Sequence, residues 1–246
     1  MEERLRPDDR SRQADAAHDA GRRRLRQGRA DGPVTFLAEH LDDYLRGLWL
    51  TVRLTCVVCT AAFLLALLLA TARASPVPSL RGFAASYVGV FRNIPELAIL
   101  LILTSGIPKV GLTTSYFVFA VAGFTLYHSA FTAEILRSGL RAVPAGQVEA
   151  ARALGLGFGR TAGHIVLPLA LRAALPALAN QAIAVLKGTA IASAVGLADL
   201  THVADEIAVE EARPVLAFGV AVVGYLLLTI PLGLLIMRLE NRLATI

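Results

Sequence analysis

The chain has 246 residues, of which 55% are hydrophobic, with a mean hydropathy of +0.59 and a formal charge of +5. That apolar share exceeds the usual soluble range, and with only 7% aromatics it rests on Ala, Leu, Val and Ile, which points to one integral membrane domain. The basic excess is almost all arginine, Lys109 and Lys187 being the two lysines; most arginines flank apolar stretches, as at cytoplasmic membrane edges, so no nucleic-acid role is expected.

Residues 1–33 hold nine Arg and seven Asp or Glu and too little apolar content to bury. They read as a disordered Arg-rich tail, or as the product of an upstream start site, and they lack the apolar core of a cleavable signal peptide. The membrane domain is then 34–246. The first expected span is Gly47 to Ala70, with Arg53 near one end, where its charge can snorkel to the interface. Cys56 and Cys59 lie inside this run and read as small hydrophobes on one helix face, with no structural disulfide. Two prolines in "ASPVPSLRG" end the helix.

The second span is expected at Phe83 to Thr104. Arg92 and Glu96 stand four apart with Pro95 between them, which predicts a kinked helix with a local ion pair. The third runs from Ser115 to Leu136 and carries His128, read as a packing histidine without a partner, and Glu134. The fourth covers Leu175 to Leu197 and contains Lys187. A polar, acidic and partly helical connection follows, and the fifth span is Val215 to Met237.

Loop charge orients these five spans. The connection 137–172 holds Arg137, Arg141, Arg152, Arg160 and Arg172 against the single acid Glu149. The connection 198–213 holds Asp199, Asp205, Glu206, Glu210 and Glu211 against Arg213. The first is therefore cytoplasmic and the second external. The C-terminus is then cytoplasmic and the N-terminus external, against the nine arginines of the tail.

The stretch "EAARALGLGFGRTAGHIVLP", Glu149 to Pro168, interrupts the apolar pattern. "GQVEAARAL" is a strong short helix former, and Gly155 stands where a C-terminal cap glycine belongs. "GRTAGHIVLP" restarts a helix toward the membrane. The segment reads as helix, tight turn and helix, with the small side chains of Ala150, Ala151 and Ala153 letting another surface approach. Taken alone, Glu149 is a solvated helix charge.

The pattern Glu149-Ala150-Ala151, Gly155, Ile165 and Leu167-Pro168 resembles the EAA motif of membrane permease subunits of bacterial ABC importers. "YVGVFRNIPELAILL", "YHSAFTAEILRSGLRAVPAGQVEAARALG" and "LPLALRAALPALANQAIAVLKGTAIASAVGLADLT" resemble the polar amino-acid branch, glutamate-type permeases above all. The resemblance covers about residues 45–240. It implies an all-α membrane bundle of five spans, a type-1 ABC permease domain over 34–246, and a multi-pass protein of the bacterial plasma membrane. In that family the EAA loop is a coupling helix seated on a cytoplasmic ATPase, so the resemblance assigns Glu149, Ala150, Ala151, Gly155, Ile165, Leu167 and Pro168 to that contact. It also implies partners: an ATPase dimer carrying ATP and Mg, a second permease subunit of the same or a sister chain, an extracytoplasmic solute-binding protein and an amino-acid substrate. Lys187-Gly188-Thr189 departs from the branch's more common Lys-Asp-Thr or Lys-Asn-Thr.

No G-x-x-x-x-G-K-[ST] run occurs, so this chain is not expected to hydrolyse ATP or to hold a cofactor of its own. "GLGFG" lacks the spacing and the preceding strand of a nucleotide loop. No metal cluster or catalytic constellation is visible in the sequence. Lys187 within an apolar span costs at least ~2.5 kcal/mol, so it either attracts a substrate carboxylate from the bundle interior or a watery path, pairs with Glu134 or a neighbouring subunit, or snorkels from a helix end. Asn180, Gln181, Thr189 and Ser193 either line a pathway with it or join helices. An ion-coupled secondary transporter and a non-transporting assembly subunit are the rival classes; five spans without an inverted repeat weigh against the first.

Overall fold

The computed structural model describes residues 32–244. The expected tail over 1–33 lies outside them except for Gly32 and Pro33, and Pro33 already opens a helix. That helix, α1, runs unbroken over Pro33–Ala74 and is 42 residues long, about 63 Å at the α-helical rise. The predicted first span, Gly47 to Ala70, lies within it. Pro33 is tolerated because the first turn needs no internal N–H donor, and the prolines after Ala74 stop the helix as expected.

Next come α2 (Pro78–Asn93) and α3 (Glu96–Leu101), with a π turn over Ile102–Gly106 and a 3₁₀ turn over Ile107–Val110. Ile94 and Pro95 between α2 and α3 are extended, with ψ of 137° and 131°, because a proline ring forces the preceding residue out of helical geometry. The two helices bend by 102° there. This corrects the expected Arg92–Glu96 pair. Across so sharp a break the four-residue spacing no longer brings the two together; Arg92 lies over the Phe131 ring, 5.4 Å from its centroid, and Glu96 meets His128.

α4 (Tyr116–Arg141) is capped by Ser115, whose hydroxyl accepts the Val118 N–H. The short helices α5 (Ala145–Ala153) and α6 (Phe158–Thr161) follow. A π turn over Ala162–Val166 leads into α7 (Leu167–Gly188), which finishes as a 3₁₀ turn over Thr189–Val195. α8 (Leu200–Glu210) and α9 (Pro214–Ala244) complete the order. Among the described residues four helical runs are long and apolar enough to cross a membrane, and the bent α2–α3 pair counted as one span makes five.

The core is stacked in three layers along α1. At one end Phe36 and Tyr44 pack on Leu200, Val203 and Ile207 of α8 and Ala217 of α9. In the middle Leu54 and Val58 meet Leu100, Phe124, Val185 and Val195. At the other end Ala66 and Leu69 meet Ala84, Val88, Ala133 and Leu136. The start of α1 thus shares an end with the acidic α8 segment, and its close shares an end with the arginine-rich loop, as loop charge requires.

Two glycines allow the tightest crossings. A Cβ on Gly139 would fall 2.5 Å from the Ala170 carbonyl oxygen and 2.8 Å from the Ala174 Cβ, so α4 and α7 touch backbone to backbone. A Cβ on Gly47 would fall 3.1 Å from the Leu200 Cα, seating α8 on α1. Gly139→Val is expected to cost about 2 kcal/mol by overpacking, read as earlier thermal unfolding of the detergent-solubilised protein. Gly146→Ala in α5, with nothing within 4 Å, serves as the neutral comparison.

The acidic connection is more ordered than expected. α8 is amphipathic and buries Leu200, Val203, Ala204, Ile207 and Ala208. Asp199 is fully buried as its cap, accepting from the His202 N–H at 3.0 Å and the Tyr225 hydroxyl at 3.1 Å. Burial pushes its carboxyl upward from the usual range, against those hydrogen bonds. Asp205, Glu206, Glu210 and Glu211 remain exposed.

Candidate coupling loop and pathway

α5 leaves α4 through an extended Pro144 and stops at Gly155, whose φ is +79°, a conformation that glycine adopts without a Cβ clash. The Gly155 N–H reaches the Arg152 carbonyl at 2.9 Å and the Leu156 N–H reaches the Ala151 carbonyl at 3.1 Å. Those are the two bonds of a Schellman C-cap, which turns the chain sharply and satisfies carbonyls left by the ending helix. Thr161 is buried in the next helix and donates its hydroxyl to the Leu156 carbonyl at 3.3 Å, which pins the turn to α6.

The motif residues divide by direction. Glu149, Ala150, Ala153 and Gly155 are exposed, whereas Ala151 is only 3% exposed and packs inward. This corrects the expectation that three alanines face outward; two do, and the third supports the loop from beneath. Ile165 is half-buried in the π turn, and Leu167 and Pro168 are exposed at the start of α7. The sequence reading missed Leu154 and Phe158. They flank the turn and are 82% and 85% exposed. The signal was present as "LGLGFG", two large apolar residues set among glycines.

Beneath the loop, Glu134 accepts from Arg73 Nη1 at 2.8 Å and is clasped by Arg137 one turn on. The cluster ties the end of α1 to the end of α4. Glu134 is therefore occupied, which removes it as the structural partner considered for Lys187.

The five polar groups of the fourth span do not share one face. Lys187 and Asn180 are exposed, and among the described residues Lys187 has no ion-pair partner. Gln181 is half-buried, its amide nitrogen 3.0 Å from His128 Nδ1. Thr189 is fully buried and Ser193 half-buried; both turn their hydroxyls back on the helix, to Leu186 and Ala190, at 2.7 Å each. The expectation of one pathway-facing row thus reduces to Asn180 and Lys187, which stand seven apart with the exposed Ala184 between them. His128 is a further correction. It is 3% exposed, and its Nε2 lies 2.9 Å from Glu96 Oε1, so it joins three helices rather than filling space alone.

The span running Phe158–Val195 and the span Pro214–Arg238 each bury only 11% of their apolar window within the chain, against 39% for α1 and 50% for α4. Their outer faces therefore remain for lipid or another subunit.

The family described as "Binding-protein-dependent transport system inner membrane component" matches residues 62–245. The glutamate transport system permease protein GluC of Corynebacterium glutamicum is 38% identical over 223 residues, 85% of this chain and 98% of its own. The probable glutamine ABC transporter permease protein GlnM of Bacillus subtilis is 32% identical, covering 85% and 97% of the two chains. A crystal structure of an amino acid ABC transporter with histidines superposes with a TM-score of 0.80 at 32% identity, covering 84% of this chain and 96% of that one. An inward-facing MetNI methionine ABC transporter shares the fold with a TM-score of 0.70 at 21% identity.

Proposed function

The chain belongs to the binding-protein-dependent transport system inner membrane component family, and from that premise we propose that its arginine-rich loop couples it to a separate ATPase. It is the permease subunit of an amino-acid ABC importer and a multi-pass protein of the bacterial plasma membrane. The observation that carries the coupling proposal is the capped helix α5, which turns Glu149 outward and leaves Leu154 and Phe158 bare beside Gly155.

Two ATPases, with ATP and Mg bound in them, grip the loops of two permease subunits, identical or sister chains. Their closure draws the loops together and opens the bundle outward, toward a solute-binding protein; hydrolysis and separation return it inward. The exposed acids of α8 are the contact surface for that binding protein. The permease breaks no bond; it supplies a bundle with two arrangements whose balance both faces bias. Among amino acids we favour glutamate, on the likeness to the glutamate-type relatives. Affinity purification from native membranes, followed by reconstitution in vesicles, tests the whole. An ATPase co-purifies and uptake requires ATP; uptake driven by an ion gradient alone would replace this reading with a secondary transporter.

Lys187 is the proposed contact for the substrate carboxylate. Loss of one such charged contact weakens uptake about tenfold or more. Lys187→Ala and Lys187→Met are both expected to do so at normal protein levels, and unchanged uptake in both would reject the role.

A further inference from the structure

We propose that Glu96, backed by His128 and Gln181, holds the ammonium group of the passing amino acid, reached through the gap left by Gly188. The proposal rests on the importer reading above and adds to it the place of one end of the substrate.

Glu96 is the first residue past the Pro95 break, so the bend that separates it from Arg92 also aims it into the bundle. Its Oε1 stands 2.9 Å from His128 Nε2, and Gln181 Nε2 stands 3.0 Å from His128 Nδ1. The Gln181 amide holds the ring from behind, and the two facing atoms, Glu96 Oε1 and His128 Nε2, are buried and make no hydrogen bond among the described residues. Glu96 Oε1 is thus left open to a further donor.

The nearby arginines are engaged elsewhere. Arg92 lies over Phe131, Arg53 over Phe117, and Arg73 and Arg137 are committed to Glu134. Among the described residues no arginine or lysine forms an ion pair with Glu96. A carboxylate kept between membrane helices without a cation costs several kcal/mol, and such groups mark ion or substrate paths.

The space beside it is open by one missing side chain. A Cβ on Gly188 would lie 3.6 Å from His128 Nε2 and 3.7 and 3.8 Å from the two Glu96 oxygens. Any larger residue there would cover the pair, including the Asp or Asn that the resembling branch carries more often. Gly188 is half-buried and the Glu96 side chain keeps 12% exposure, while the facing atoms of the pair, Glu96 Oε1 and His128 Nε2, are buried. Lys187 precedes Gly188 on the same helix and is exposed. The negative Glu96 thus faces Gly188 while the positive Lys187 stands one position earlier on α7, a pairing that suits a zwitterion with an ammonium and a carboxylate.

The test puts a thiol into the gap. Gly188→Cys is made in a Cys56→Ala/Cys59→Ala chain, reconstituted with its ATPase, and treated with small cationic and anionic methanethiosulfonates. The cationic reagent is expected to react about tenfold faster, and Glu96→Gln brings the ratio to near one. A mixture of the standard amino acids slows the reaction, and the matching mixture of 2-oxo acids, which lack the ammonium, does not. In the otherwise natural chain Glu96→Gln raises the uptake KM about tenfold with little change in turnover; it is isosteric and removes only the charge. Absence of labelling, equal rates for the two reagents, or a KM unchanged by Glu96→Gln would overturn the assignment. ATPase co-purification and ATP-dependent uptake in the cysteine-free parent keep the importer reading standing if this assignment falls.

Discussion

Glu149→Lys is expected to leave the chain in the membrane at normal levels and to lower ATP-dependent uptake about a hundredfold. Glu149 is exposed on α5 and makes no ion pair among the described residues, so its loss takes nothing from the fold. A reversed charge against a partner surface costs several kcal/mol, and about 3 kcal/mol in docking is about a hundredfold in occupancy. Gly155→Asp reaches the same end by another route. At φ +79° a Cβ is strained, by about 1 kcal/mol, and the two Schellman bonds that aim Leu154 and Phe158 loosen with it. Membrane-fraction immunoblots, ATPase co-purification and uptake measured side by side separate a docking defect from a folding one. Normal uptake in both variants would remove the loop as the coupling element.

The second large effect is on stability. His128→Leu replaces the ring facing Glu96 inside the bundle by an apolar group, and a buried polar group left against apolar surroundings costs about 1–3 kcal/mol. A marked drop in the unfolding temperature of the detergent-solubilised protein is expected. The double variant Glu96→Leu/His128→Leu restores most of that loss, because two apolar residues leave no unmet charge. It does not restore uptake. A double variant as unstable as the single one would mean that the pair itself holds α3 to α4.

The helices and the loop were legible where the signal is local. Apolar runs of about twenty residues, paired prolines and a glycine at a helix end act within a few residues, and they placed the five spans and the α5–Gly155 turn. The family likeness added the role proposed for Glu149. What the sequence hid is where helices meet across the bundle. Arg92 and Glu96 look paired by spacing until a 102° bend intervenes. Glu96, His128 and Gln181 are 32 and 53 positions apart in succession, and no helical period joins them. The same limit explains Ala151. Composition reports three small residues, but only the packed turn decides which one faces in. Likewise Asp199 counts as one more external acid by loop charge, yet capping geometry buries it completely.

The bare flank carrying Asn180 and Lys187 has a consequence for the cell's accounts of this protein. A chain synthesised without its counterpart would hold an ammonium group against hydrocarbon at a penalty of about 2.5–3.5 kcal/mol, enough to hand surplus copies to membrane proteases. Abundance would then follow the scarcest member of the complex, and stoichiometry would be enforced by turnover rather than by matched synthesis.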